Sequence, residues 1–209
     1  MFKSKSHGNN ANSSKRRRRS PPSPPPDEGQ PLQISDLPEL VLANVAKYLQ
    51  PPSRAIFASA FIETNTNYTL QQPSTKSNAI LSGDNACECL DFADIEKSLA
   101  SKLTDDDIAA ALVCTVDNLK TLKLAGCTNI TGSGLEPLRE SVVLEHIDLT
   151  LVSLYENPSL DPEPLISEEL VLPILTSIVD ANNNSLRYVE LPKKFRSHPS
   201  EPLDLFLGT

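Results

Sequence analysis

Leu119-Lys-Thr-Leu-Lys-Leu-Ala-Gly-Cys-Thr-Asn-Ile-Thr-Gly-Ser-Gly-Leu-Glu-Pro-Leu138 is the stretch on which the fold turns. Leu122 and Leu124 alternate with polar neighbours, the period of a short strand with one buried face. Cys127 follows as a small apolar thiol beneath a turn, and Ile130 seals that turn. Ser133 with Glu136 then reads as a capping box for a helix containing Leu135 and Leu138. A strand, a turn and a helix therefore fit into twenty residues, too few to bury their own apolar side chains.

The same phrase recurs along the chain. Leu144-Glu-His-Ile-Asp-Leu149 repeats the strand 25 residues later, and Leu186-Arg-Tyr-Val-Glu-Leu191 repeats it after a further 42. Upstream, Leu90-Asp-Phe92 supplies another strand. Thr104-Asp-Asp-Asp107 caps a helix through Ile108, Ala111, Leu112 and Val113. The long interval holds Tyr155–Pro164, whose three prolines mark a loop outside the stack. Ser167-Glu-Glu leads into a helix running to about Asp180, with Pro173 either near its true start or kinking it. The spacing L-x-x-L-x-L-x-x-C-x-I resembles the leucine-rich repeat of the cysteine-containing subclass. That resemblance implies a right-handed α/β solenoid of about four parallel strands over residues 87–192.

Ahead of the repeats, Ile34-Ser-Asp-Leu-Pro-Glu-Leu-Val-Leu-Ala-Asn-Val-Ala-Lys-Tyr-Leu49 reads as a helix. Asp36 is a candidate cap, Pro38 falls in the first turn and Glu39 lies three residues after the cap. Leu42, Val45, Tyr48 and Leu49 recur at three- and four-residue steps as an apolar stripe. Pro51-Pro52 ends the helix, and a second apolar run, Ala55–Ile62, follows. This pattern over residues 33–62 resembles the F-box. The resemblance implies a small helical module that docks on the Skp-type adaptor of a cullin–RING ubiquitin ligase through Leu37, Pro38, Leu42, Val45, Tyr48, Leu49 and Ile56. F-boxes often close on a Trp; this chain has none, and Phe61 stands at the matching place. Residues 63–86 are polar and unperiodic apart from Ala79-Ile80-Leu81, and read as a linker.

Composition bounds the remaining possibilities. The chain has 209 residues, 39% hydrophobic, with 18 Pro. That leaves room for one moderate domain, a small module and unpacked tails. Residues 1–32 read as a disordered tail carrying Lys15-Arg16-Arg17-Arg18-Arg19, a block of the kind that nuclear import receptors read. Ser20-Pro21 and Ser23-Pro24 beside it are candidate proline-directed phosphorylation sites, whose phosphates would offset the arginines. Residues 1–30 hold seven basic and two acidic side chains; the chain's 19 basic and 27 acidic residues then leave 12 and 25 for the body, a net of −13. Such a body is a poor partner for nucleic acid. The apolar runs are too short for a membrane span, the N-terminus lacks the apolar core of an export signal, and the four Cys read as reduced thiols. The expected location is nucleus, cytoplasm or both. Residues 193–209 are a tail or a cap, and Leu203-Asp-Leu-Phe-Leu207 within them fits a strand, a capping element or a free apolar end.

No catalytic arrangement stands out. The three His are His7, His146 and His198, and neither a nucleophile–base pair nor a phosphate-binding glycine loop can be assembled. Cys87, Cys89, Cys114 and Cys127 do not form the paired clips of a zinc site, so no metal or cofactor is expected. The expected role is instead capture of a protein target, or else service as an interaction scaffold without a ligase. Counting by twos from the inward leucines puts Asp91, Lys123, Asp148 and Glu190 in one outward column, with Thr121, His146 and Tyr188 beside it. Three of the four charges in the first column are acidic, which favours a basic segment of the partner.

Overall fold

The computed structural model describes residues 33–64, 71–82, 87–151, 165–181 and 186–197. The chain divides into two compact units, Met1–Ile34 and Ser35–Thr209. The basic block Lys15–Arg19, the loop 155–164 and the segment 203–207 lie outside the described residues.

The second unit opens with α1 (Glu39–Ala46) and α2 (Pro51–Ser59). Asp36 does not cap α1: it belongs to a single 3₁₀ turn, Ile34–Asp36, and Pro38 holds the N-cap position in extended geometry. Pro38 lacks a side chain that can cap, and its carbonyl accepts from Val41 and Leu42 instead. Pro51 and Pro52 start α2 at positions whose N–H groups would be unpaired in any case. Arg54 closes the C-terminal end of α1, its Nε donating to the Ala46 carbonyl at 2.9 Å. A cation there also favours the helix dipole.

The segment expected as a linker is partly built into the fold. Glu63–Thr64 (β1) pairs antiparallel with Gln71–Gln72 (β2), and Thr75–Leu81 forms α3. Ser74 caps α3, its Oγ accepting from Ser77 N, and Ser77 Oγ donates to the Ala58 carbonyl of α2 at 2.9 Å. Ile80 of α3 is buried with Leu42, Ala46, Ala58 and Phe61. One buried Ile per short helix is a weak periodic signal, and the contact that rewards it comes from α1 and α2.

Four three-residue strands follow: β3 (Cys89–Asp91), β4 (Thr121–Lys123), β5 (His146–Asp148) and β6 (Tyr188–Glu190). Between β3 and β4 lie α4 (Lys97–Ala100) and α5 (Asp105–Val113); α6 (Glu168–Ala181) crosses from β5 to β6, and α7 (Lys193–Ser197) comes last. The strands form one sheet, all parallel, in the order β3-β4-β5-β6. Parallel neighbours require a crossover, and helices or 3₁₀ turns on one side of the sheet provide each one. The architecture is thus α/β, as the alternation of strand and helix signals implied. Leu90, Leu122 and Ile147 stand in register and fully buried, and Leu124, Leu149 and Leu191 continue the core behind them. Cys127 and Ile130 are buried as expected. The core runs past residue 192, because Phe195 of α7 is buried in it. Pro173 lies inside α6, which starts five residues earlier at Glu168. Ala55 of α2 belongs to the same core, so the helical module packs directly on the sheet unit.

One expectation fails informatively. Residues 133–138 form a 3₁₀ helix, and Ser133 and Glu136 make no capping box. Glu136 pairs with Arg139 at 2.7 Å. The loop is held from the preceding layer: the Asp105 carboxylate accepts from Thr131 N (2.8 Å), Thr131 Oγ1 (2.9 Å), Gly132 N (3.0 Å) and Gly134 N (2.8 Å). Partial burial alone would raise the pKa of Asp105, but the hydrogen bonds from Thr131, Gly134 and Gly132 outweigh it and hold the group below the ordinary value. Thr104 does cap α5 as expected, and Asp107 turns that cap into a capping box. The two glycines allow the approach: Gly132 has φ +106°, and a Cβ on Gly134 would stand 2.5 Å from the Asp105 backbone oxygen.

Asp105→Asn is expected to lower stability by about 1–2 kcal/mol at neutral pH, the usual worth of charged hydrogen bonds discounted for partial exposure. A depressed carboxyl pKa stabilises above the unfolded-state value of about 4 and loses that contribution as pH falls through the folded value. Urea melts of both proteins at pH 7 and near pH 2 should therefore converge at the acid end; an undiminished gap would contradict the charge-based account. Gly134→Ala should cost about 1–3 kcal/mol, the range for overpacking, at both pH values.

Candidate interaction surfaces

α1 carries two apolar faces. Leu42 and Ala46 are buried, while Leu40, Val41, Val45 and, in the turn after the helix, Tyr48 are exposed. Val41, Val45 and Tyr48 follow i, i+4, i+7 spacing and so share one side. Tyr48 is 91% exposed, an unusual position for an aromatic ring unless something docks on it. The residues expected to bind an adaptor therefore separate. Pro38, Val45 and Tyr48 are exposed; Leu37 and Leu49 are half-buried. Leu42 is fully buried and so not available to a partner, and Ile56 is half-buried against the main core. Sequence reading merged two stripes into one and missed Leu40 and Val41. The signal was present, since six apolar residues in an eight-residue helix exceed what a single face can bury. Phe61 points inward, edge-to-face with Phe57 at 5.6 Å.

The second surface is the open face of the sheet. Parallel sheets are usually covered on both faces, so a polar, accessible one is itself informative. The register places Asp91, Lys123, Asp148 and Glu190 side by side, and Cys89, Thr121, His146 and Tyr188 in the next row. Both expected columns are thus assembled, and Cys89, two residues before Asp91, joins the second. Lys123 pairs with Asp91 at 3.2 Å, which raises its pKa by hydrogen bonding and attraction. Lys120 pairs with Glu88 at 2.9 Å with the same effect. Asp91 and Asp148 also accept from the backbone N–H two residues on, Ala93 and Thr150. They fix the turn after each strand as well as facing outward. His146 Nε2 lies 3.9 Å from Glu190 Oε1, and the His146 and Tyr188 rings are 5.6 Å apart.

An open groove of about 1350 Å³ follows α6, with Leu172 and Pro173 between Glu140, Glu169 and Asp180. Its described lining contains no histidine, cysteine or basic side chain. Among the described residues no group of three or more His, Cys, Asp or Glu is placed to hold a metal ion, and no helix is long and apolar enough to cross a membrane.

The cysteines differ in environment. Burial pushes the Cys127 thiol up to about 12 and Cys114 to about 11, and Cys89 alone is exposed. Burial and the nearby Asp91 raise the Cys89 thiol too, but its exposure means that a brief pulse of N-ethylmaleimide on the folded protein should label it first. Cys127 should be labelled only in denaturant; mass spectrometry of peptides that finds early Cys127 adducts would contradict this packing. Comparisons with protein-family models, with curated proteins and with solved structures gave no match to this chain.

Proposed function

We propose that this protein is the substrate-recognition subunit of a cullin–RING (SCF-type) ubiquitin ligase. Residues 33–62, extended by α3, serve as an F-box that docks on a Skp-type adaptor and so joins the cullin scaffold. The four-stranded sheet serves as a short leucine-rich-repeat stack whose open face captures a protein target. The supporting observation is the outward apolar stripe of α1, Leu40, Val41, Val45 and Tyr48, on a helix already packed by its opposite side. An amphipathic helix presented in this way suits a hydrophobic partner groove. In this reading the chain performs no covalent chemistry. It raises the effective concentration of a target lysine near the charged conjugating enzyme, which needs only two non-overlapping surfaces on one body. The body's net charge of −13 argues against nucleic acid as the ligand. Lys15–Arg19 serves as an import signal, with action in the nucleus as well as the cytoplasm.

A second reading is a leucine-rich scaffold without a ligase, in which the N-terminal helices only cap the sheet. The packing of α2, with Ala55 and Ile56 on the main core, favours it. Binding of purified adaptor, measured by calorimetry, separates the two. The ligase reading expects complex formation at micromolar concentrations, and a loss of at least about tenfold in affinity for Val41→Asp/Val45→Asp, exposed positions that leave the fold intact. Wild-type protein that fails to bind any Skp-type adaptor would leave the scaffold reading in place.

A further inference from the structure

We propose that the β5–β6 end of the open sheet face is a landing site for an arginine side chain of the captured segment. The inference rests on the reading of that face as the target-binding surface. It assigns the ligand's chemistry and the residues that meet it.

The charges on the face are not evenly disposed. At the β3–β4 end they are paired within the protein, Lys123 with Asp91 at 3.2 Å and Lys120 with Glu88 at 2.9 Å. At the β5–β6 end, Asp148 and Glu190 stand next to each other in register. Among the described residues Glu190 lies against His146 Nε2, and 3.9 Å is too long for a hydrogen bond. That nitrogen has no hydrogen-bond partner of its own, so the Glu190 carboxylate is not anchored by the ring beside it. Lys123 contributes attraction to Asp148 but makes its contact with Asp91. Glu145 ends the preceding loop one residue out of phase with the outward row, and its backbone carbonyl accepts from Arg187 and Tyr188. Arg187 is one residue out of phase with Tyr188 and so belongs to the other side of the strand. Beside this acidic pair Tyr188 is 63% exposed, and its ring is backed by the imidazole of His146.

An exposed tyrosine ring next to a free carboxylate matches a planar cation that stacks and forks at once. A guanidinium lies flat on the ring while two N–H groups meet the Glu190 carboxylate; an ammonium is compact, more strongly hydrated and cannot do both. The paired end of the sheet offers no such vacancy, which sets the direction in which a captured segment places its arginine. Asp148, held by Thr150 N at 2.8 Å, supplies a second fixed acceptor in the adjacent strand.

The test is a titration of the full chain with the tripeptide Arg-Arg-Arg, followed by NMR of the tyrosine and histidine rings. Saturable shifts of the Tyr188 and His146 resonances are expected, with Lys-Lys-Lys binding at least about threefold more weakly. Tyr188→Ala and Glu190→Gln should each weaken binding by about tenfold, Tyr188→Phe should keep it, and Asp91→Asn should change it less than about twofold. Equal binding of the lysine peptide, or an arginine response that survives Glu190→Gln, would overturn the proposal by reducing it to general attraction for an acidic body. Adaptor binding is measured on the same preparations. Loss of the arginine response with adaptor binding intact overturns only this inference, whereas the reverse pattern supports it and removes the ligase.

Discussion

Each layer of this molecule is too thin to bury its own leucines. A strand of three residues presents one side chain inward, and Leu90, Leu122, Ile147 and Val189 find apolar neighbours in the adjoining strands and in the helices packed behind the sheet. The hydrophobic gain is therefore collective: removing an inner layer exposes the faces of the layers on both sides. The parallel order, the crossovers on one side and the open polar face on the other are consequences of that single requirement.

Hydrophobic stacking is not directional enough to set how consecutive layers are offset, and a polar device does so here. The Asp105 carboxylate reaches from the first turn of α5 into the next layer and satisfies three backbone N–H groups and a hydroxyl in the loop 131–134. Buried loop amides need partners, and a fixed carboxylate accepts several at once. The spacing Thr-Gly-Ser-Gly is thereby explained: Thr131 donates twice, Gly132 takes a left-handed φ, and Gly134 leaves room for the Asp105 backbone. At the other end of the stack, α2 lays Ala55 into the same core, so the helical module closes the apolar end of the first layer.

What remains exposed is set by what these contacts consume. On α1 the inward stripe goes to α2 and α3, which leaves Val41, Val45 and Tyr48 facing water. On the sheet, the inward positions go to the leucine ladder, and the outward ones form two rows of polar and aromatic side chains. Internal ion pairs then mute half of that face and leave the β5–β6 end with its charge available. Because module and sheet share a core, the two surfaces are carried on one body rather than joined by a loose tether.

The sequence by itself determined the strands and their phase. Period-two alternation repeated at Leu90, Leu122, Ile147 and Val189 specifies which side chains are inward, so the outward rows were legible before any coordinates. The Thr104–Asp107 cap was legible for the same reason, since both partners lie within one turn. The tertiary structure alone decided the features whose partners are distant in sequence. Asp105 read as a helix-end acid because its acceptor role depends on a loop 26 residues away. Residues 75–81 read as linker because the reward for burying Ile80 comes from α1 and α2. The stripe of α1 read as one face because only packing decides which of two apolar sides is used. Local periodicity reports a residue's own geometry, whereas burial and hydrogen-bond satisfaction depend on what the rest of the chain brings to it.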